Sequence, residues 1–181
     1  MTLKYLNERY CARCHRDKAT PYLRDNIKIL KEPTGRGQHG NTLAYHTKMV
    51  LDLGCGNMRN TNFMRKQGFD YVMPMDMAPG EDGLDVILGK DAIPCVPGSA
   101  DIILANYIFM FLNQNERKQL CREINLVAAP GCTLVMELYA SKHSFAKTVE
   151  ETEKMKKQLM RKFKGWELLR SPKERFIMRK K

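Results

Sequence analysis

Eight consecutive residues set the expected fold: Val50-Leu51-Asp52-Leu53-Gly54-Cys55-Gly56-Asn57. The apolar residues of the first half are typical of a parallel strand that is covered on both faces. The two glycines remove side chains at a place where another molecule can approach the backbone. Asn60 or Thr61 then caps a predicted helix that runs to Gln67, so backbone amides at the turn and the helix start favour a negatively charged group above them.

The rest of the chain continues this alternation of strand and helix. A second predicted strand leads to Asp76, a third covers 84–88, and a fourth ends at Asn106. The later elements are a helix capped by Asn113, a strand over 133–138, a long helix with an apolar stripe from Phe145 to Phe163, and a hairpin of 166–170 and 175–179. Alternation of this kind predicts an α/β fold with a doubly wound, mostly parallel sheet.

The glycine turn resembles the first motif of the class I S-adenosylmethionine-dependent methyltransferases, which runs D/E-x-G-x-G-x-G. Gly54 and Gly56 match two of its glycines, and Met58 stands where the third usually lies. The resemblance spans residues 49–179. It implies a seven-stranded, mostly parallel Rossmann-like sheet with an antiparallel last strand and helices on both faces.

The resemblance also implies which residues hold the cofactor S-adenosylmethionine and its product, S-adenosylhomocysteine. Asp76 would accept hydrogen bonds from both ribose hydroxyls, because a carboxylate can accept two side by side. Asp91 would accept from the adenine amine, beside the Ala92 amide, with Met77 against the ring. The complete implied set is Arg36, Asp52, Gly54, Cys55, Gly56, Asp76, Met77, Asp91, Ala92 and Asn106.

A sulfonium methyl group is already activated, so the protein mainly has to align the acceptor and exclude water. Asn106 and Tyr107, at the end of the fourth strand, are the candidates for orienting the acceptor. His39 is a candidate for handling a proton, and Glu137 is either a base or a balance for local charge. His39 lies in a glycine-rich segment, 34–41, which is either a lid over the cofactor, with Arg36 reaching it, or a linker without a catalytic part.

Positive charge is concentrated at the two ends of the chain. Residues 1–48 carry ten Lys and Arg against four Asp and Glu, residues 49–141 carry seven against eleven, and residues 142–181 carry fourteen against five. The basic ends are either a footprint for the phosphates of RNA or DNA or a solvated surface. If they do not bind nucleic acid, the expected partner is a small-molecule substrate.

A length of 181 residues suits one domain and is too short for two ordinary ones. We therefore expect a single methyltransferase domain over 1–181: a helical N-terminal cap and lid (1–48), a cofactor-binding core (49–141), and a C-terminal helix with a closing hairpin (142–181). No apolar run approaches the length of a membrane span, and the N-terminus lacks the apolar stretch of a secretion signal, so we expect a cytoplasmic protein.

Six cysteines raise the question of a disulfide framework or a metal site. Four of them fall within or beside predicted core elements, where a reduced cysteine behaves as a small apolar residue. Cys11 and Cys14 form a C-x-x-C pair, but no second pair of ligands accompanies them, so no metal site is predicted.

Taken together, these features predict a methyltransferase that moves a methyl group from S-adenosylmethionine to nucleic acid or to a small molecule. The alternative is a non-catalytic module with the same fold that binds the cofactor or a partner, for which Met58 in place of glycine is the main argument.

Overall fold

The computed structural model of the chain describes residues 18–33, 44–77, 83–142 and 144–181. The strands are β1 Met49–Leu53, β2 Tyr71–Asp76, β3 Leu84–Asp85, β4 Ala100–Asn106, β5 Ala128–Glu137, β6 Trp166–Arg170 and β7 Arg175–Lys180. The α-helices are α1 Pro21–Asp25, α2 Ile27–Lys31, α3 Arg59–Lys66, α4 Gln114–Val127 and α5 Val149–Met160, and short 3-10 helices cover Tyr45–Thr47 and Phe109–Phe111.

The seven strands form one sheet in the order β3-β2-β1-β4-β5-β7-β6. Neighbouring strands from β3 to β5 run parallel, whereas β7 runs antiparallel to both β5 and β6. The predicted mostly parallel sheet with an antiparallel last strand is therefore confirmed. Since β1 and β4 are adjacent and lead to opposite sides of the strand order, their carboxyl ends border the crevice where α/β folds bind ligands.

Helices cover both faces of the sheet. On one face Leu23, Leu30 and Met64 of the helices α1, α2 and α3 are fully buried in a cluster with strand residues such as Val50 and Leu104. The other face is covered by α4 and α5, whose apolar side chains join a second cluster. The N-terminal helical segment is thus part of the core, because burying its apolar face removes it from water.

Thr20 is the N-cap of α1, and the buried Lys48 side chain binds carbonyls at the C-terminal end of α2. The Thr20 hydroxyl accepts a hydrogen bond from the Leu23 amide at 3.3 Å. At the other end, the Lys48 ammonium donates to the carbonyls of Leu30 (3.0 Å) and Glu32 (2.6 Å). Burial lowers the pKa of Lys48. These contacts satisfy carbonyls that a helix end leaves without intrahelical partners.

Three predictions about element boundaries are wrong. The helix α3 begins at Arg59 with Met58 as its N-cap, so neither Asn60 nor Thr61 is the cap. The strand expected over 84–88 ends at Asp85. The apolar stripe expected from Phe145 starts too early, because Thr148 and Glu151 form a capping box that begins α5 at Val149. Accordingly, the Phe145 side chain lies outside the core and is exposed.

Four cysteines lie in or beside the core, as predicted. Cys55, Cys121 and Cys132 are buried free thiols, and Cys95 is a half-buried one. Cys11 and Cys14 lie outside the described residues. In the described ranges, no helix is long and apolar enough to cross a membrane.

Candidate functional site

The glycine turn after β1 is fastened to the end of β2. The amides of Gly54 and Cys55 both donate to the Met75 carbonyl, at 2.8 and 3.1 Å. Gly54 has φ +74°, and a β-carbon there would lie 3.1 Å from Cβ of Ile108. Gly56 has φ +52°, and a β-carbon there would meet none of the described residues within 4 Å. Packing against Ile108 therefore favours glycine at the first position, whereas the second faces space that the described residues leave open.

Asp76 closes one side of this turn. Its Oδ2 accepts a hydrogen bond from the Gly56 amide at 2.9 Å. The half-buried Asp76 side chain thus faces the glycine turn, as expected of the predicted ribose-binding acid. A carboxylate can accept several hydrogen bonds at once, so this contact is compatible with ribose hydroxyls as further donors.

Met58 adopts the left-handed conformation at the position where the motif usually has its third glycine. Its φ and ψ are 61° and 16°. Its amide donates to the Cys55 carbonyl at 2.9 Å, and its carbonyl accepts from Asn62 at 2.8 Å. The turn therefore keeps a left-handed backbone without glycine, which costs a residue with a side chain about 1 to 2 kcal/mol.

Replacing Met58 with glycine is expected to stabilise the protein by up to about 1 kcal/mol. Relief of the left-handed strain is partly offset by about 0.5 to 1 kcal/mol for the freer unfolded chain. Thermal unfolding of Met58→Gly measures the change, and Met58→Ala is the control because it removes the side chain and keeps the strain. Equal destabilisation in both variants would show that side-chain packing outweighs backbone strain.

Asp52 lies inside the fold and anchors the helix that follows the turn. The carboxylate is 1% exposed, and its Oδ2 accepts from the Thr61 hydroxyl at 2.6 Å. Burial raises the pKa of Asp52 to about 6, while hydrogen bonds from Thr61 oppose the rise and nearby Asp76 adds to it. Its role as a direct cofactor contact stays a prediction. Its hydrogen bond with Thr61 does link β1 to α3.

Asp52→Asn is expected to stabilise the ligand-free protein at neutral pH by about 1 to 3 kcal/mol. The folded-state pKa of about 6 lies above that of an unfolded Asp, so ionising Asp52 between about pH 4 and pH 6 costs stability. The gain of the variant should therefore be largest above pH 6 and disappear near pH 4. Chemical denaturation at several pH values measures it, with the exposed Asp70→Asn as control. If the stability gained by Asp52→Asn did not depend on pH, the raised pKa of Asp52 would be contradicted.

Cys55 and the loop that was expected to bind adenine have structural contacts of their own. Burial raises the pKa of the Cys55 thiol to about 12, so it is neutral. In the loop, Oδ2 of Asp91 accepts from the Ile87 amide at 2.7 Å, and Ala92 is exposed. A β-carbon at Gly89 would lie 2.8 Å from Cβ of Glu116, so glycine lets this loop approach α4. Adenine contacts of Asp91, Ala92 and the half-buried Met77 stay predictions.

At the end of β4, two neighbouring side chains differ sharply in their contacts. Asn106 is 6% exposed, and within the described part of the chain neither its Nδ2 nor its Oδ1 has a hydrogen-bond partner. Tyr107 has φ 65°, and its hydroxyl donates to Oε2 of Glu137 at 3.2 Å. Because buried polar atoms are normally paired, the Asn106 amide indicates a place for a polar ligand.

Glu137 is the centre of the polar contacts on this side. It is fully buried at the end of β5, directly opposite Asn106 in the sheet. Besides Tyr107, it pairs with Nε of Arg175 at 3.3 Å and accepts a hydrogen bond from the Thr20 hydroxyl. Burial raises the pKa of Glu137, and these donors oppose the rise.

Sequence reasoning missed three residues of this region: Thr20, Arg59 and Arg175. Arg59 lies in the first turn of α3, with its guanidinium carbon 5.9 Å from the centre of the Tyr107 ring. Each of the three comes from an element far from Tyr107 in sequence, so no local spacing pattern could have grouped them. Two predicted site residues, Arg36 and His39, lie outside the described residues.

Comparison with known proteins agrees with this architecture. A family model described as a methyltransferase domain matches residues 51–136. No curated protein matches the sequence at a significant level. A TehB-like SAM-dependent methyltransferase from Corynebacterium glutamicum is similar in structure, with a TM-score of 0.65 and 18% identity over 98% of this chain and 99% of that one.

Two further solved structures are similar. A SAM-dependent methyltransferase from Aquifex aeolicus has a TM-score of 0.58 and 16% identity, over 96% of both chains. The 1,6-didemethyltoxoflavin-N1-methyltransferase of Burkholderia thailandensis, solved with 1,6-didemethyltoxoflavin and S-adenosylhomocysteine, has a TM-score of 0.54 and 14% identity, over 75% of this chain and 72% of that one. The family match over residues 51–136 and the strand order together support a class I, Rossmann-like methyltransferase fold with S-adenosylmethionine as the cofactor.

Proposed function

We propose that this chain is an enzyme that transfers the methyl group of S-adenosylmethionine to a small polar molecule. The observation that carries the proposal is the space above Gly56, which the described residues leave open and the Asp76 carboxylate borders. The Asp76 carboxylate fits the ribose hydroxyl groups of that cofactor, and the Asn106 amide, which has no hydrogen-bond partner among the described residues, fits its amino and carboxylate groups. When bound, the cofactor supplies an activated methyl group on a sulfonium.

The residues of this chain would then bind, orient and desolvate the reactants. Asp76 holds the sugar, and the glycine turn allows close approach of the backbone. Asn106 and Tyr107 orient the acceptor atom, which must lie in line with the breaking bond at about 3 Å. Tyr107 is itself held by Glu137, so its hydroxyl is fixed in direction.

Burial on the acceptor side favours a small molecule over a polymer. Asn106 and Tyr22 are both more than nine-tenths buried, and neither the Asn106 amide nor the Tyr22 hydroxyl has a hydrogen-bond partner among the described residues. Tyr22 belongs to α1, and its ring is 5.6 Å from the Arg175 guanidinium carbon, beside Glu137. Polar groups this deeply buried are easier for a small acceptor to reach than for a nucleobase held on a polymer.

Some basic side chains of the C-terminal segment bind groups of the protein itself. Lys180 donates to the carbonyls of Asn125 and Ala128, at 2.9 and 2.7 Å. Arg179 pairs with Glu32 at 3.0 Å. The excess of basic residues is therefore a weaker argument for phosphate binding than the sequence alone suggests. Exposed lysines and arginines such as Lys157 and Arg161 keep RNA or DNA as the second candidate acceptor.

Calorimetry with S-adenosylmethionine and S-adenosylhomocysteine tests the enzyme assignment. We expect both to bind, and binding in the micromolar range corresponds to about −8 kcal/mol. Failure of the wild-type protein to bind either compound would favour the alternative of a partner-binding module without catalysis. Methyl transfer itself is then tested with radiolabelled cofactor and pools of small polar metabolites.

Filter binding with single-stranded RNA and duplex DNA separates the two acceptor classes. For a small-molecule enzyme we expect only non-specific binding, with a Kd above about 10⁻⁶ M at physiological salt. A nucleic-acid substrate would bind more tightly, and its affinity would fall steeply between about 50 and 200 mM salt, because neutralised phosphates release counterions. If nucleic acid is the substrate, Lys157→Glu should weaken its binding and leave cofactor affinity unchanged.

A further inference from the structure

Thr20 joins the N-terminal helical segment to both sides of the candidate site. Its amide donates to Oδ1 of Asn60 on α3 at 3.1 Å, and its hydroxyl donates to Oε1 of Glu137 on β5. The same hydroxyl accepts the Leu23 amide as the cap of α1. One donor and two acceptor positions on a hydroxyl allow these contacts together.

We propose that Thr20 is a positioning residue of the acceptor side: its hydroxyl fixes the Glu137 carboxylate and, through it, the Tyr107 side chain beside the glycine turn. The proposal rests on the proposed function for its catalytic meaning, because Tyr107 is the group assigned to orient the acceptor. It adds a residue that no sequence motif indicated.

The need for such a support follows from the backbone of Tyr107. Its left-handed conformation is unfavourable for a bulky residue and persists only where surrounding contacts hold it. Those contacts are the Glu137 carboxylate, the Glu137 carbonyl, which accepts the Tyr107 amide at 2.8 Å, and the Tyr139 ring, with centroids 5.2 Å apart. The next residue, Ile108, packs against Gly54. Tyr107 therefore lies where the glycine turn meets the acceptor side.

The ionisation of Glu137 offers a direct measure of this support. Among the described residues, the charged and titratable groups that face the carboxylate are Arg175 on β7, Arg59 on α3, Tyr107 after β4 and Tyr22 on α1. Burial raises the pKa of Glu137, and the hydrogen bond from Thr20 lowers it. Removing the hydroxyl should therefore raise the pKa of Glu137, and Tyr107, which donates to the same carboxylate, should report the change.

The experiment uses the full chain labelled with 3-fluorotyrosine, with the ¹⁹F resonance of Tyr107 assigned by Tyr107→Phe. We expect this resonance to titrate in the ligand-free wild type with a midpoint above the usual Glu value of about 4.3. Glu137→Gln should abolish the titration. Thr20→Val should raise the midpoint by at least about half a pH unit, and Thr20→Ser should restore it.

Thr148→Val is the matched control, because Thr148 is also an N-cap threonine, on α5, and its hydroxyl contacts Glu151 and not Glu137. It should leave the Tyr107 midpoint unchanged. If Thr20→Val does not fold, Thr20→Gly takes its place, since glycine retains much of the N-cap preference.

A midpoint that is the same in the wild type and the Thr20 variant would overturn the proposal, as would an equal shift in Thr148→Val. The titration is measured without cofactor, so it tests the role of Thr20 independently of the proposed enzyme activity. The proposed activity is contradicted by a different result, the absence of S-adenosylhomocysteine binding to the wild type in calorimetry.

Discussion

Asp76→Ala should weaken the binding of S-adenosylmethionine and S-adenosylhomocysteine about 10- to 100-fold. Hydrogen bonds to a charged group contribute about 1.5 to 3 kcal/mol, and the variant loses the acceptor predicted for both ribose hydroxyls. It also removes the carboxylate that accepts the Gly56 amide at 2.9 Å, so the turn loses a contact that shapes it. Isothermal calorimetry gives the change in affinity.

Asp85→Ala is the matched control for Asp76→Ala. Asp85 lies opposite Asp76 in the neighbouring strand and is exposed, so its removal changes the net charge equally without touching the glycine turn. Its cofactor affinity should equal that of the wild type. If Asp76→Ala keeps wild-type affinity while its melting curve shows an intact fold, Asp76 has no part in ribose binding.

Gly56→Ala should lower cofactor affinity more than 10-fold, which is about 1.4 kcal/mol. The added methyl group would meet no atom of the described part of the chain within 4 Å, so it would enter the space proposed for the cofactor. The left-handed φ of +52° adds a folding cost of about 1 to 2 kcal/mol. The protein should therefore remain folded with a lowered Tm, and calorimetry should show the loss of binding.

Gly98→Ala separates the steric effect from the backbone cost. Gly98 also has a left-handed φ, +70°, and a β-carbon there also meets nothing within 4 Å in the described ranges. It lies before β4, at the opposite end of the sheet from the glycine turn, where its amide donates to the Leu126 carbonyl. We expect a similar loss of Tm and an unchanged cofactor affinity. Equal affinities for the two alanine variants would mean that the space above Gly56 does not hold the cofactor.

The glycine turn was predictable because its determinants are local. An apolar strand, a turn with two glycines and a helix follow one another within Val50–Gln67, and each preference depends on neighbours in sequence. The predicted acid at Asp76 could be placed beside the turn because parallel strands bring their carboxyl ends to one edge. The helix start could not be placed, because Met58 accepts a left-handed conformation that its residue type disfavours.

By itself, the sequence determined the α/β class, the order of strand and helix, the glycine turn and the acid facing it, since periodicity and turn chemistry act over short distances. Only the tertiary structure decided that Thr20 contacts Glu137, 117 residues later, and that Arg175 and Tyr107 share the same carboxylate. Such contacts form because separate elements pack on one face of a sheet. They leave no periodic signal, so the acceptor side of this methyltransferase fold becomes visible only once the chain is folded.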